Sequence, residues 1–199
     1  MPSPAKQRAV LERAVGTEQM IRLRRASRPA ESVTGFVVAT GSSWTLFART
    51  MDGGYFDGHI AIRIADIAHV RPDTSFESAF AKTRPDWPPA IPTWVTSIDL
   101  DSTKGMLRSF LHRGHLVGIE RDKKYDAIWI GVPDELLGKW LYLWEVTPKA
   151  KWEDRPLGYK LRSVTTVIIG SHYQTGLAEI AGDPPEQAGE FWPTRPGKS

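Results

Sequence analysis

The chain has 199 residues and no cysteine, and it carries a formal net charge of +3 with 41% hydrophobic and 25% charged residues. This composition is typical of a folded globular protein, so it excludes global disorder, and the missing cysteine excludes disulfides and thiolate chemistry. No stretch approaches the roughly 20 apolar residues that span a bilayer, and the charged N-terminus lacks the apolar core of a signal peptide, so we expect a cytoplasmic protein with no membrane partner.

The first half of the chain predicts two short helices with a compact set of strands between them. Apolar residues recur at helical spacing within residues 4–15 and again within residues 75–82. Alternating or β-branched segments typical of strands lie between them, at residues 20–25, 33–40, 44–49, 59–64 and 67–71. Glycine-containing turns, including Asp57-Gly58, separate these segments, and the connections are too short for a crossover helix. The strands are therefore expected to pair antiparallel.

The second half predicts another β unit after a proline-rich linker. Four prolines fall within residues 84–92, and proline favours an extended, stiff backbone. Strand-like segments follow without a long helix, at residues 116–119, 126–132, 140–146, 158–162 and 166–169.

These patterns predict a mainly β protein of two tandem small five-stranded antiparallel barrels, with short helices at the N-terminus and before the linker. We expect the N-terminal helix and first barrel at residues 1–83, the linker at 84–98, the second barrel at 99–182 and a mobile tail at 183–199. The tail prediction rests on its many proline, glycine and charged residues.

The order of segments in each half resembles the small five-stranded barrels of the Sm-like and SH3-like type. In those barrels four strands are followed by a single helical turn and a last strand, and residues 65–67 and 163–165 occupy the place of that turn. The first half also resembles uncharacterised actinobacterial proteins with the pattern G-x-V-V…W-x-L…D-G…I-R-x-x-D-I. The matching residues are Gly35, Val37, Val38, Trp44, Leu46, Asp57, Gly58, Ile62, Arg63, Asp66 and Ile67. The resemblance implies a bacterial protein with a barrel fold, although the signature RNA-binding motifs of Sm proteins are not recognisable.

No sequence motif indicates an active site, so we expect no enzyme activity, no cofactor and no bound metal. The serines lack a nucleophile elbow, and no glycine-rich phosphate-binding pattern occurs. His112 and His115 are interpreted as residues near a turn, because Gly114 separates them and no further metal ligand accompanies them. Asp99 and Asp101 are interpreted as loop or helix-cap residues rather than an acid–base pair.

The leading functional prediction is a non-enzymatic interaction or adaptor protein, which binds a protein partner or self-associates through barrel edges and exposed aromatic side chains. Trp87 and Trp94 lie in the linker, and Trp192 lies in the tail. Trp87, which is set among prolines, and Trp192 have no obvious core to fill, and tryptophan is enriched at interface hot spots. We therefore expect these three side chains to contact the partner.

Nucleic-acid binding, to RNA or single-stranded DNA, is the alternative. Residues 1–30 carry seven basic and two acidic side chains, whereas the rest of the chain carries 19 basic and 21 acidic ones. Arg22, Arg24, Arg25 and Arg28 would neutralise phosphates, with Arg22, Arg24 and Arg28 on one strand face and Arg25 on the other. A third possibility is an unrecognised hydrolase or a small-molecule binder with its cleft between the barrels.

Overall fold

The computed structural model describes residues 4–111, 116–121, 126–186 and 188. The strands in this part of the chain are β1 (Ile21–Arg25), β2 (Ser32–Thr40), β3 (Trp44–Thr50), β4 (Phe56–Arg63), β5 (Ile67–Pro72), β6 (Val117–Arg121), β7 (Ile128–Leu137), β8 (Trp140–Glu145), β9 (Leu157–Lys160) and β10 (Val164–Ile169). The α-helices are α1 (Pro4–Ala14), α2 (Phe76–Ala81), α3 (Thr103–Leu111) and α4 (His172–Ala181). None of these helices is long and apolar enough to cross a membrane.

The ten strands form one antiparallel sheet in the order β5-β1-β2-β3-β4-β10-β6-β7-β8-β9. The second half repeats the strand order of the first, and the halves join where β4 pairs with β10, for example at Ile60 and Ile168. The predicted mainly β, antiparallel fold is thus confirmed. The sheet is continuous and does not close, so two separate closed barrels are not confirmed. Because β4 and β10 pair with each other, neither strand is an exposed edge of the sheet. In two separate halves, each of these strands would need another partner.

The two faces of the sheet carry different cores. The α1 face, which bears Leu23, Phe47 and Ile60, packs against Leu11 and Ala14 of α1. The opposite face, which we call the linker face, bears Phe36, Leu46 and Ala61 in the first half and continues into Ile119 and Leu141 of the second half. One apolar cluster on the linker face therefore spans both halves of the chain.

The linker packs on the sheet. Residues 84–98 contain a cis peptide bond between Trp87 and Pro88 and end in a 3₁₀ helix, Thr93–Ser97. The Trp87 ring lies 4.5 Å from the Phe36 ring, and both tryptophans of the linker pack against the cluster on the linker face. The linker thus covers the middle strands of the first half.

The predicted helices at residues 4–15 and 75–82 correspond to α1 and α2, but α3 and α4 were not predicted. The Ser102 hydroxyl accepts the Gly105 N–H at the start of α3, and Ser171 forms a capping box with Gln174 at the start of α4. The prediction of a turn at Asp57-Gly58 is wrong, because both residues lie within β4. The Asp57 carboxylate instead accepts the His172 N–H at 2.8 Å and so attaches α4 to the sheet.

Candidate functional site

Basic side chains from β1 and β5 line a groove on the linker face at one edge of the sheet. Arg22 pairs directly with Arg71, and Arg24 pairs with His69, so all four side chains point to the same face. Together with Val70 they enclose about 380 Å³, and we call this feature the basic groove. Like charges directly opposite one another on neighbouring strands are destabilising, and an anion bound between them would offset that repulsion.

Only part of the charge in the basic groove is neutralised by the protein. The Arg22 Nε donates to the buried Asp73 carboxylate at 2.7 Å. Burial acts to raise the pKa of Asp73, but hydrogen bonds from Ser75 and Arg22 outweigh it and hold the pKa below its ordinary value. Within the described ranges no carboxylate forms an ion pair with Arg24 or Arg71. Arg24 and Arg71 therefore keep uncompensated positive charge, and they lie beside Arg22, which Asp73 holds in place.

Arg25 points to the opposite face and is buried. Its guanidinium bonds to the buried Glu120 carboxylate of β6, to the Thr166 hydroxyl at 3.0 Å and to Glu31 at 2.8 Å. Burial lowers the pKa of Arg25, although the contacts with Glu31 oppose that effect. Four strands separate β1 from β6 in the sheet, so this contact requires the sheet to curl around the core on the α1 face.

Arg28 joins the same set of charges. It lies beyond the end of β1, so it does not continue the strand face of Arg22 and Arg24 as the alternation had indicated. Its guanidinium pairs with Glu31 at 3.3 Å and Asp126 at 2.7 Å and lies 3.8 Å from Glu120. We call Arg25, Arg28, Glu31, Glu120 and Asp126 the ion cluster. Arg25 and Arg28 thus serve to connect the two halves.

The two outer strands of the sheet, β5 and β9, are protected against pairing with a further strand. In β5 the Gln7 amide donates to the Ala68 carbonyl at 3.0 Å, and Pro72 has no N–H to offer. In β9, a strand of four residues, the Ser163 hydroxyl donates to the Lys160 carbonyl at 2.8 Å. Short edge strands, proline and occupied carbonyls all oppose strand addition.

The predicted partner-binding tryptophans of the linker are half-buried. Trp87 contacts Phe36, and the Trp94 ring lies 5.3 Å from the His59 ring in an edge-to-face arrangement. A cleft of about 390 Å³ lies between this part of the linker and strands β3 and β4. Trp192 lies outside the described residues. Contact of these tryptophans with a partner stays a prediction.

The remaining polar residues considered in the sequence have local roles or are not described. The Asp101 carboxylate accepts the Ser42 N–H at 2.6 Å, which lowers the pKa of Asp101, and the Asp99 carboxylate accepts the Asp101 N–H at 2.8 Å. His112 and His115 lie outside the described residues. In the part of the chain that the structure describes, no three His, Asp or Glu side chains are arranged to hold a metal ion.

Comparison of the chain with protein-family models, with curated proteins and with solved structures finds no match. A functional assignment therefore has to rest on the chemistry of the basic groove, the cleft beneath the linker and the exposed apolar side chains.

Proposed function

We propose that this protein binds single-stranded nucleic acid through the basic groove and catalyses no reaction on it. The observation that carries the proposal is the direct pairing of Arg22 with Arg71 and of Arg24 with His69 on one uncovered face. Arg24 and Arg71 are diagonal neighbours on the paired strands β1 and β5, and such residues are about 7–8 Å apart, close to the separation of neighbouring phosphates. Arginine binds phosphate with two parallel hydrogen bonds, so Arg24 and Arg71 suit successive phosphates.

An exposed aromatic side chain at the start of α2 favours a single strand over a duplex. Phe76 is 72% exposed and follows Asp73, the residue that holds Arg22, by three positions. Its ring stacks on Phe80 at 5.8 Å, which fixes its orientation and leaves its other face open. Unpaired bases stack on such rings, whereas paired bases are not available for stacking.

The salt dependence of binding tests this proposal. Each phosphate contact on a single strand contributes about −0.7 to the slope of log affinity against log salt, so replacing Arg22, Arg24 and Arg71 by glutamine should flatten the slope by about two units. The measurement is fluorescence anisotropy of labelled oligouridine and oligothymidine between low and physiological salt. A triple glutamine variant of the exposed Arg13, Arg108 and Arg155 is the control with the same net charge.

The control variant should keep the wild-type slope. No binding of the wild-type protein at low salt, or an equal change of slope in both triple variants, would contradict the proposal. The second result would show that net charge rather than the basic groove determines affinity.

The adaptor role is the second candidate function, with a second copy of the chain as the partner. Leu137 and Trp140 pair directly on β7 and β8 and are 57% and 38% exposed, and the Lys160 ammonium lies 5.3 Å from the centre of the Trp140 ring. Because the outer strands are protected, docking would use these side chains rather than strand addition. Sedimentation should then show a dimer that Leu137→Ser with Trp140→Ser converts to a monomer. A monomeric wild type at high micromolar concentration would exclude this mode.

The tandem-barrel interpretation is part of the same proposal. Each half has a helix, four strands, a 3₁₀ turn and a last strand, with the turns at Ile64–Asp66 and Leu161–Ser163. This repeated order supports two small barrels of Sm-like or SH3-like type that share one sheet. The division into residues 1–83 and 99–182 and a cytoplasmic location also remain proposals.

A further inference from the structure

The cleft beneath the linker contains an imidazole with no hydrogen-bond partner at one of its nitrogens. The residues that line the cleft include the apolar Phe56, Trp87 and Pro88 and also His59. The Nε2 atom of His59 is shielded from solvent, and no atom of the described residues forms a hydrogen bond with it. A buried polar atom without a partner is unfavourable, so it indicates a partner that the protein alone does not supply.

The surroundings of His59 restrict what that partner can be. The Trp94 ring packs against the imidazole, and burial lowers the pKa of His59, which favours the neutral imidazole. A neutral imidazole has one donor and one acceptor nitrogen. Asp86 contributes a carboxylate to the lining of the cleft, but this carboxylate lies 3.4 Å from the Arg84 Nε and is partly neutralised by it.

We infer that this cleft binds a flat, uncharged heteroaromatic ring, with an edge hydrogen bond to His59 and a face against Trp87. A volume of about 390 Å³ fits one small ring system. The aromatic and proline walls disfavour a charged ligand because they offer it no compensating polar contacts. The ring belongs either to a free small molecule or to a base of a nucleic-acid strand, and both sources have the same chemistry at His59.

Benzimidazole, which is flat and uncharged above pH 7 and has one N–H donor and one ring-nitrogen acceptor, is the probe. Binding is measured by ligand-observed NMR on the full chain at pH 8. We expect the wild type to bind, His59→Phe to weaken binding at least tenfold, and His59→Gln, which keeps a hydrogen-bonding group, to weaken it less. His69→Phe, in the basic groove, is the matched control and should bind as the wild type does.

Three results would overturn the inference: no binding by the wild type at millimolar benzimidazole, equal binding by wild type and His59→Phe, or equal loss in His59→Gln and His59→Phe. Competition identifies the source of the ring. Displacement of benzimidazole by oligoadenosine assigns a nucleobase, and persistence of benzimidazole under saturating oligoadenosine assigns a free molecule. The triple glutamine variant of the basic groove should keep its affinity for benzimidazole, so failure of nucleic-acid binding leaves this test unaffected.

Discussion

Replacing Glu120 by glutamine should destabilise the protein strongly, because it leaves a buried guanidinium without its main partner. The side chains of Arg25 and Glu120 are each 4% exposed, and the other carboxylate on Arg25, that of Glu31, is 51% exposed. Breaking a buried pair by removing one partner costs about 3–5 kcal/mol. Glu31 compensates little, since exposed carboxylates contribute about 0–1 kcal/mol per pair. We therefore expect a loss near 3 kcal/mol.

Replacing both partners by apolar residues should restore most of that stability. In Arg25→Met with Glu120→Leu no charge is left buried, and such replacements are often neutral or stabilising. The Thr166 hydroxyl, which is fully buried and bonded to Arg25, would lose that partner at a cost of about 1 kcal/mol. The double variant should thus lie within about 1–2 kcal/mol of the wild type.

Equilibrium unfolding in urea measures these differences, provided that the slope of free energy against urea stays unchanged between variants. Arg8→Gln is the control, because Arg8 pairs with Glu12 on the exposed side of α1 and should contribute less than about 0.5 kcal/mol. A cost below about 1 kcal/mol for Glu120→Gln, or a double variant less stable than Glu120→Gln, would refute the reasoning on the ion cluster.

Further predictions concern α4 and a buried carboxyl group. Ser171→Ala removes the capping box and should cost about 1 kcal/mol, whereas Gly176→Ala, with no atom within 4 Å of the added Cβ, should stabilise the helix by about 0.5–1 kcal/mol in thermal or urea unfolding. Burial raises the pKa of Glu145 above its ordinary 4.5, and the hydrogen bond from Tyr159 offsets this only partly. A raised folded pKa contributes stability below pH 4.5 that is lost as the pH rises, so the stability of wild type relative to Glu145→Gln should fall between pH 4 and 7. A difference independent of pH would contradict this.

The sequence predicted the elements whose signals are local. Alternating residues identified β1, and the helical spacing of Leu11 and Ala14 identified α1. The helix α4 was not predicted, although Ser171 and Gln174 have the spacing of a capping box. The helix α3 was not predicted because Gly105, a residue with low helix propensity, lies near its start.

The basic groove and the ion cluster were not predictable in the same way, because both depend on pairs distant in sequence. Arg22 and Arg71 meet only once β1 pairs with β5, and the segment between them gives no indication of that register. Arg25 and Glu120 are 95 positions apart and meet through the curl of the sheet. The sequence pattern treats Arg22, Arg24, Arg25 and Arg28 alike. In the structure, Arg22 and Arg24 line the basic groove, whereas Arg25 and Arg28 belong to the ion cluster.

The exposure of the basic groove follows from how the linker crosses the sheet. The Trp87 ring packs against Phe36 of β2, and the Trp94 ring packs against His59 of β4, so the linker covers the middle strands of the first half. The strands β1 and β5 lie beyond this cover at the outer end of the sheet, and there the linker face bears arginine and histidine instead of apolar side chains. An uncovered sheet face needs polar residues, but threonine, or lysine paired with glutamate, would meet that need without placing positive charges opposite one another. The direct pairing of Arg22 with Arg71 is therefore an unfavourable feature that the need for a polar face alone does not explain.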